Sequence, residues 1–497
     1  MNAQKFWEDA LGWMLAEGHA QQHASMDTFS RLQNWKRGFQ GVMPRFGVMA
    51  SPPTMTFGNG SSTVNPNYVN GQTTYPANSP VFRFLGSIYA PTTVEGLPAY
   101  IPSHITDSNG NKSGLSAPCR VRFQTDAPAI DFCFLDVLYG QFNLIVDGQF
   151  IARDRKITFG NTGNFQYIKC DFGTDVVTYS KASTSTVIVS PGAGHAVGDI
   201  ITLDGGSGSA IGTPLTIRVG SVSSGAVATF DVMGKGAYTT LPTGTLTQAS
   251  TTGAGTGFQM QAQFWHKDHT TRRMRQIELI FSDPARFMGV VTSPQDTVLP
   301  WVENPWGVKS AFIGDSITIG TYLQYGASHI GCSIAQRLGW WDRHMISGIG
   351  GTGWNTVNNP WSGSPRVQDF IDYDADVYWF TGSQNDSAGP DLENSIKTTL
   401  NTLLAAKPSA YVIGVGNIMG DSTALANSIG NGFAAADAQS RIAFINNHSP
   451  NKWIPSTYLP DWAVTSDNNH LNQSGMDRFA DISALQGVQA LLSMLPS

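Results

Sequence analysis

The chain has 497 residues and a formal net charge of −6, with 30 Lys and Arg against 36 Asp and Glu. Neither sign gathers into a long run, so no basic face offers itself to nucleic acid or to an anionic membrane, and both partners are disfavoured. Charged residues make up only 13% and Gly numbers 53, a composition of short strands and tight turns, and the length predicts two to four domains with much β-structure.

The opening stretch, MNAQKFWEDALGWML, carries acids among its apolar residues. It lacks the basic n-region, apolar h-region and small-residue cleavage site of a secretory signal, so none is expected. No apolar run approaches the roughly 18 residues needed to cross a bilayer, and no membrane insertion is expected. Phe6, Ala10 and Met14, with Leu11 and Leu15, recur at helical spacing. They predict one or two amphipathic helices in an N-terminal segment, residues 1–43, that attaches the chain to a sister copy or a larger assembly, or packs on the neighbouring domain.

From about residue 44 the text changes to CRVRFQT, IDFCFLDVLYG, FNLIVDGQFIA and FQYIKCDFG, separated by Gly, Asp, Asn and Pro. These read as strands of a β-sandwich, jelly-roll-like, which could serve as a carbohydrate-binding domain. The style resumes in RRMRQIELIFSDPARFMGVVT, so one sandwich is expected over residues 44–181 and 263–300, interrupted by 182–262. The interruption, with VGDIITLDGGSG, LTIRVGSVSSGAVATFDV and TTGAGTGF, is poor in charge but has regularly placed Val, Ile, Leu and Phe, and reads as a small all-β module. It resembles small β-modules of bacteriophage tail and receptor-binding proteins. The four cysteines, Cys119, Cys133, Cys170 and Cys332, show neither a CxxC nor a metal-type spacing, and are read as ordinary thiols with no metal site.

Residues 301–497 are α/β in pattern. VKSAFIG is a short apolar strand running into Asp315 and Ser316, and Leu323, Ala327, Ile330, Ile334 and Leu338 then recur as one helix face. ADVYWFTG and AYVIGVGNI are further buried strands. Leu392, Ile396, Leu400 and Leu403 mark a helix, and Met476, Phe479, Ile482, Leu485 and Val488 a terminal one. The alternation predicts a parallel sheet covered on both faces.

Ligands of such sheets bind at the carboxyl ends of strands, where Gly314, Asp315 and Ser316 sit. A serine hydroxyl is a poor nucleophile until a base takes its proton, and His470, three residues after Asp467 in SDNNHLNQSG, suits that task. Asp467 would hold the imidazole in the working tautomer. Acyl transfer also builds charge on the carbonyl oxygen, which needs converging donors. SGIGGTGW and TGSQND supply candidates in Gly351 and the Asn385 side chain, and Ser316 adds its own N–H. Each motif alone has a bland reading, a turn with a helix cap or a solvated loop pair. Trp340, Trp341, Trp354 and Trp379 stand near the motifs, and Trp354 and Trp379 are the candidates for stacking on sugar rings, with core packing as the alternative.

Taken in chain order, FIGDSIT, GIGGTGW, GSQND and the DxxH pair resemble the four blocks of SGNH (GDSL-like) hydrolases over about residues 307–497. Ser316 falls at the family's nucleophile, Gly351 and Asn385 at its oxyanion-hole positions, and Asp467 and His470 at its acid–base pair. GDSIT replaces the fuller GDSL string, and GSQND has one residue more than GxND, which leaves the alignment of Gly382 open. The resemblance implies a C-terminal three-layer α/β/α, flavodoxin-like domain, a serine-hydrolase mechanism and no cofactor. A sandwich ahead of such a domain resembles carbohydrate O-acetylesterases. With the tail-protein-like module, this implies a phage tail spike or fibre, homotrimeric and assembled in the host cytoplasm, that deacetylates a bacterial surface polysaccharide and meets other tail proteins in the virion. The alternatives are a receptor-binding tail protein without activity and a bacterial carbohydrate or lipid esterase, extracellular or periplasmic.

Overall fold

The structure, a computed structural model, describes residues 27–496 except 40, 42–45, 61–72, 86–91, 95–96, 100–104, 107–111, 114–118, 136–140, 152–156, 159–164, 174–175, 180–186, 205–213, 239–241, 243, 262–264, 269–272, 282–285, 302–303, 305–306, 319–328, 358–359, 419–421, 449–452 and 455–469. The chain divides into two compact units, one formed by the residues up to Cys170 and from Met274 onward, the other by Asp171–Arg273.

In the larger unit, two sheets draw their strands by turns from the sequence between Thr54 and Pro300. One runs in the order Thr54–Gly60, Phe165–Asp171, Ala129–Leu135, Arg286–Thr292, Thr73–Pro76. The other runs Gln149–Phe150, Gln141–Val146, Arg275–Phe281, Cys119–Thr125, Val298–Pro300, with Ile157–Thr158 and Arg83–Leu85 pairing beside it. Phe123 of the second sheet meets Phe132 of the first with ring centroids 6.4 Å apart, and Phe82 packs edge-on against both Phe123 and Phe287. Side chains alternate across a strand. With Val121 and Phe123 turned to this aromatic core, Arg120 and Arg122 point the other way, toward the α/β domain. Glu278 lies beside Arg122 in register on the neighbouring strand.

The smaller unit is a six-stranded antiparallel sheet in the order Ile188–Ala193, Thr256–Gln261, Thr245–Thr251, Ile200–Asp204, Leu215–Ser223, Ala226–Lys235. Alternation is visible in Leu215, Ile217 and Val219, which are buried with Ile201, Leu203, Phe230, Phe258 and Met260. Ser224 and Gly225 both take positive φ, 52° and 81°, as a two-residue hairpin turn requires. The unit is wider than residues 182–262 because an antiparallel ribbon, Val176–Tyr179 with Trp265–Asp268, belongs to it.

The first described helix, α1, spans Thr28–Gly38 and is capped by the Asp27 carboxylate, which accepts from Ser30 N at 2.7 Å. It packs on the α/β domain. Leu32 is fully buried, Trp35 Nε1 donates to Leu338 O at 2.8 Å, and Arg31 Nε donates to the buried Asp376 carboxylate at 2.7 Å. Asp376 also accepts from Thr28 Oγ1 and Lys309 N. Phe6, Ala10, Leu11, Met14 and Leu15 lie outside the described residues.

The α/β domain is built on five parallel strands: β1 Ser310–Gly314, β2 His344–Gly348, β3 Val377–Thr381, β4 Tyr411–Val415 and β5 Ile442–Ile445, in the order β2-β1-β3-β4-β5. All residues of the first four are buried, as expected of strands covered on both faces. On one face Phe312, Trp379 and Ile413 pack with α2 (Ile330–Leu338) and α6 (Gln473–Met494). On the other, Ile313, Tyr378, Phe380 and Val412 pack with α3 (Ser364–Tyr373), α4 (Pro390–Ala406) and α5 (Thr423–Ala434). This is a three-layer arrangement with the flavodoxin-like strand order. Leu323 and Ala327 lie outside the described residues. Leu485 is 53% exposed, and the buried face of α6 runs instead through Met476, Phe479, Ala480, Ala484, Val488 and Leu491.

The sandwich is joined to this domain by buried charge. Arg120 Nε donates to Glu278 Oε1 at 2.5 Å and Arg122 pairs with Glu278 Oε2 at 3.1 Å. Arg120 also reaches Trp341 O and the His344 ring, Arg122 reaches Asp342, and Trp341 Nε1 donates to Glu278 Oε2 at 2.8 Å. Burial alone would raise the Glu278 pKa, but the charges of Arg120 and Arg122 hold it below the ordinary carboxylate value. Burial first, and then the Arg120 charge, push the His344 pKa well below its usual value, so this ring is neutral.

Candidate active site

Ser316 lies two residues beyond the end of β1, in a turn so tight that a Cβ on Gly314 would run into the Thr318 side chain. The turn is fixed by Asp315, whose Oδ1 accepts from Ile317 N at 2.9 Å and whose Oδ2 lies 3.4 Å from Gln384 N. His470 stands just before α6, whose first turn is capped by Asn472 Oδ1 accepting from Gly475 N at 3.0 Å. From there His470 Nε2 reaches Ser316 Oγ at 2.9 Å, across a sequence separation of 154. In the neutral tautomer that receives the serine proton, Nε2 is the acceptor and Ser316 Oγ the donor. Asp467 lies outside the described residues.

The loop after β2 passes beside the serine, and a Cβ on Gly350 would stand 3.8 Å from Ser316 Cβ. Thr352 N reaches back to Ile349 O at 3.4 Å, closing a turn in which Gly351 takes φ +72°, a conformation that favours glycine. Asn385, in the loop after β3, donates from Nδ2 to Thr352 O at 2.8 Å, so the two loops are tied together. A second tie is Asp386, whose carboxylate accepts from Trp354 N at 2.8 Å and Asn355 N at 3.1 Å. Gly353 sits so close to Ser383 and Asp386 that no side chain fits there. Among the described residues the N–H groups of Ser316 and Gly351 have no backbone acceptor.

Burial pushes the Asp315 carboxyl up to about 6 from 3.8, against the backbone donors Ile317 and Gln384 and the nearby His470. The folded protein therefore holds this proton more tightly than the unfolded chain. The resulting stability is complete below pH about 4 and is lost as pH rises through about 6. The melting-temperature difference between wild type and Asp315→Asn should accordingly fall as pH is raised from 4 to 7. A difference constant across that range would refute the shift.

The structure corrects the assignment of Trp354 and Trp379 to sugar stacking. Both are fully buried. Trp354 stacks on Phe380 at 4.6 Å and meets Trp361, while Trp379 fills the space over Gly487 and packs against Phe312 and Trp340. Trp340 and Trp341 are buried as well. Sequence reasoning gave no role to Asp315, Thr352 or Asp386, although all three lie within the quoted motifs. The signal available was a short acidic or hydroxyl side chain among glycines, which is a common source of bonds to nearby backbone. Among the described residues no group of three His, Cys, Asp or Glu is placed to hold a metal ion, and no helix is long and apolar enough to cross a membrane.

No family model matches the chain, and no curated protein matches it. Solved structures do. A family two carbohydrate esterase from Cellvibrio japonicus is similar at 10% identity and a TM-score of 0.41, over 86% of this chain and 99% of that one. A salicylyl-acyltransferase from a tetracycline biosynthetic pathway is similar at 10% identity and a TM-score of 0.47, over 85% and 99%. An acetyl xylan esterase from the rumen bacterium Butyrivibrio proteoclasticus is similar at 12% identity and a TM-score of 0.42, over 85% and 100%. In layer order and strand order the C-terminal domain has the three-layer, flavodoxin-like fold expected from its sequence.

Proposed function

We propose that the chain is an SGNH-type serine esterase that removes O-acetyl groups from a polysaccharide. The observation that carries this reading is the 2.9 Å hydrogen bond between Ser316 Oγ and His470 Nε2 at the carboxyl edge of the sheet. In the proposed cycle Ser316 Oγ attacks the ester carbonyl as His470 Nε2 takes its proton. The N–H groups of Ser316 and Gly351 and the Asn385 amide receive the oxyanion. Collapse expels the sugar hydroxyl, which takes the proton back from His470. Water then attacks the acyl-enzyme with His470 as base, releasing acetate and restoring the serine. Asp467 is assigned to orient His470.

The polysaccharide part of the reading is supported by the sandwich fixed beside the α/β domain, the arrangement that resembles carbohydrate acetylesterases. The resemblance of the inserted module to tail-protein modules extends it to a bacterial capsule or O-antigen as substrate and a homotrimeric phage tail spike as the setting. The test is acetate release from O-acetylated surface polysaccharide, with a chromogenic acetate ester alongside, for wild type and Ser316→Ala. Release by the wild type and its loss in the variant is the expected result. Turnover of the small ester alone would remove the polysaccharide, and turnover of neither would leave a binding protein.

A further inference from the structure

We propose that Thr352 is the positioning residue that aligns both oxyanion-hole loops, a role that rests on the esterase reading above. Its hydroxyl is used to capacity. It donates to Ile349 O at 2.8 Å and accepts from Trp361 Nε1 at 3.0 Å and Arg366 Nη1 at 3.2 Å. A hydroxyl has one hydrogen and two acceptor sites, so these three bonds fix it. Arg366, on α3 and 2% exposed, also donates from Nη2 to Ser347 O at 3.0 Å, which ties Thr352 back to β2.

The main chain of Thr352 serves the other two groups. Its N–H closes the turn that gives Gly351 its positive φ, and its carbonyl accepts one of the two hydrogens on Asn385 Nδ2. With that hydrogen engaged, the amide plane is set and the second hydrogen has a fixed direction, free for the oxyanion. A threonine at this place therefore couples a backbone donor after β2 to a side-chain donor after β3. Charge reaches the carbonyl oxygen only in the transition state, so disorder in these donors lowers kcat and leaves KM alone.

The experiment measures initial rates of the full-length chain on a chromogenic acetate ester. Thr352→Val keeps the shape and removes the hydroxyl, and it should lower kcat about 10- to 100-fold with KM changed by less than about twofold. Thr352→Ser, which restores the hydroxyl, should recover kcat to within about threefold of wild type. Because Thr352 acts through Asn385, Thr352→Val combined with Asn385→Ala should lose less than the product of the single effects. If Thr352→Val fails to fold, Trp361→Phe gives the same reading, since it keeps an aromatic ring in the core and deletes the donor to Thr352. A kcat within about twofold of wild type in the folded variant, or full additivity with Asn385→Ala, overturns the role of Thr352. A wild type without turnover rejects the esterase reading before any variant is compared.

Discussion

Ser316→Ala should lower kcat on a chromogenic acetate ester by roughly 10⁵-fold while leaving the fold and the melting temperature nearly unchanged. The nucleophile forms the bond that divides hydrolysis into two steps, and alanine offers no replacement atom. His470→Ala should cost nearly as much, because without Nε2 at 2.9 Å the hydroxyl keeps its proton. In the proposed mechanism the two residues act as one device, so the double variant should be little worse than either single one. Rates for Ser316→Ala, His470→Ala and the double variant check this directly. Additive losses, or a Ser316→Ala enzyme within about tenfold of wild type, would assign the chemistry to other groups.

Glu278→Ala should be the most destabilising single change at the junction of sandwich and α/β domain. It leaves Arg120, 2% exposed, without its carboxylate partner, and the fully buried Arg122 with Asp342 alone. Neutral His344 offers Arg120 no negative charge in its place. Breaking a buried pair in this way costs about 3–5 kcal/mol, far more than a surface ion pair contributes. Chemical denaturation, with fluorescence reporting on tryptophans that include Trp341, would measure the loss. Glu278→Gln, which keeps hydrogen-bonding capacity but not charge, should fall between wild type and alanine. A loss under about 1 kcal/mol in Glu278→Ala would mean that water or relaxation reaches this cluster.

What the sequence revealed and what it hid divide along physical lines. The α/β strands were readable because a strand buried on both faces must be a continuous apolar run, as in ADVYWF. Ser316 and His470 were readable because each sits in a short motif with its own chemical demand. The ties that hold the molecule together were not. Arg31 and Asp376 are 345 positions apart, and Arg120 and Glu278 are 158 apart, and nothing in a local pattern marks either pair. Trp354 and Trp379 mislead for a different reason. An indole serves a sugar face and a protein core equally well, and only the surrounding packing, Phe380 for one and Gly487 for the other, decides between them.

The ribbon that opens and closes the smaller unit pairs Val176 with Asp268 and Tyr179 with Trp265, so that unit begins and ends on adjacent, oppositely directed strands. A module with neighbouring ends asks of its host only a point where a hairpin would otherwise turn. Recombination can thus cut such a cassette out, or graft a different one in, through a single two-stranded doorway. Such an exchange would leave the strands of the larger unit, and the Ser316–His470 contact at the end of β1, unaltered in sequence.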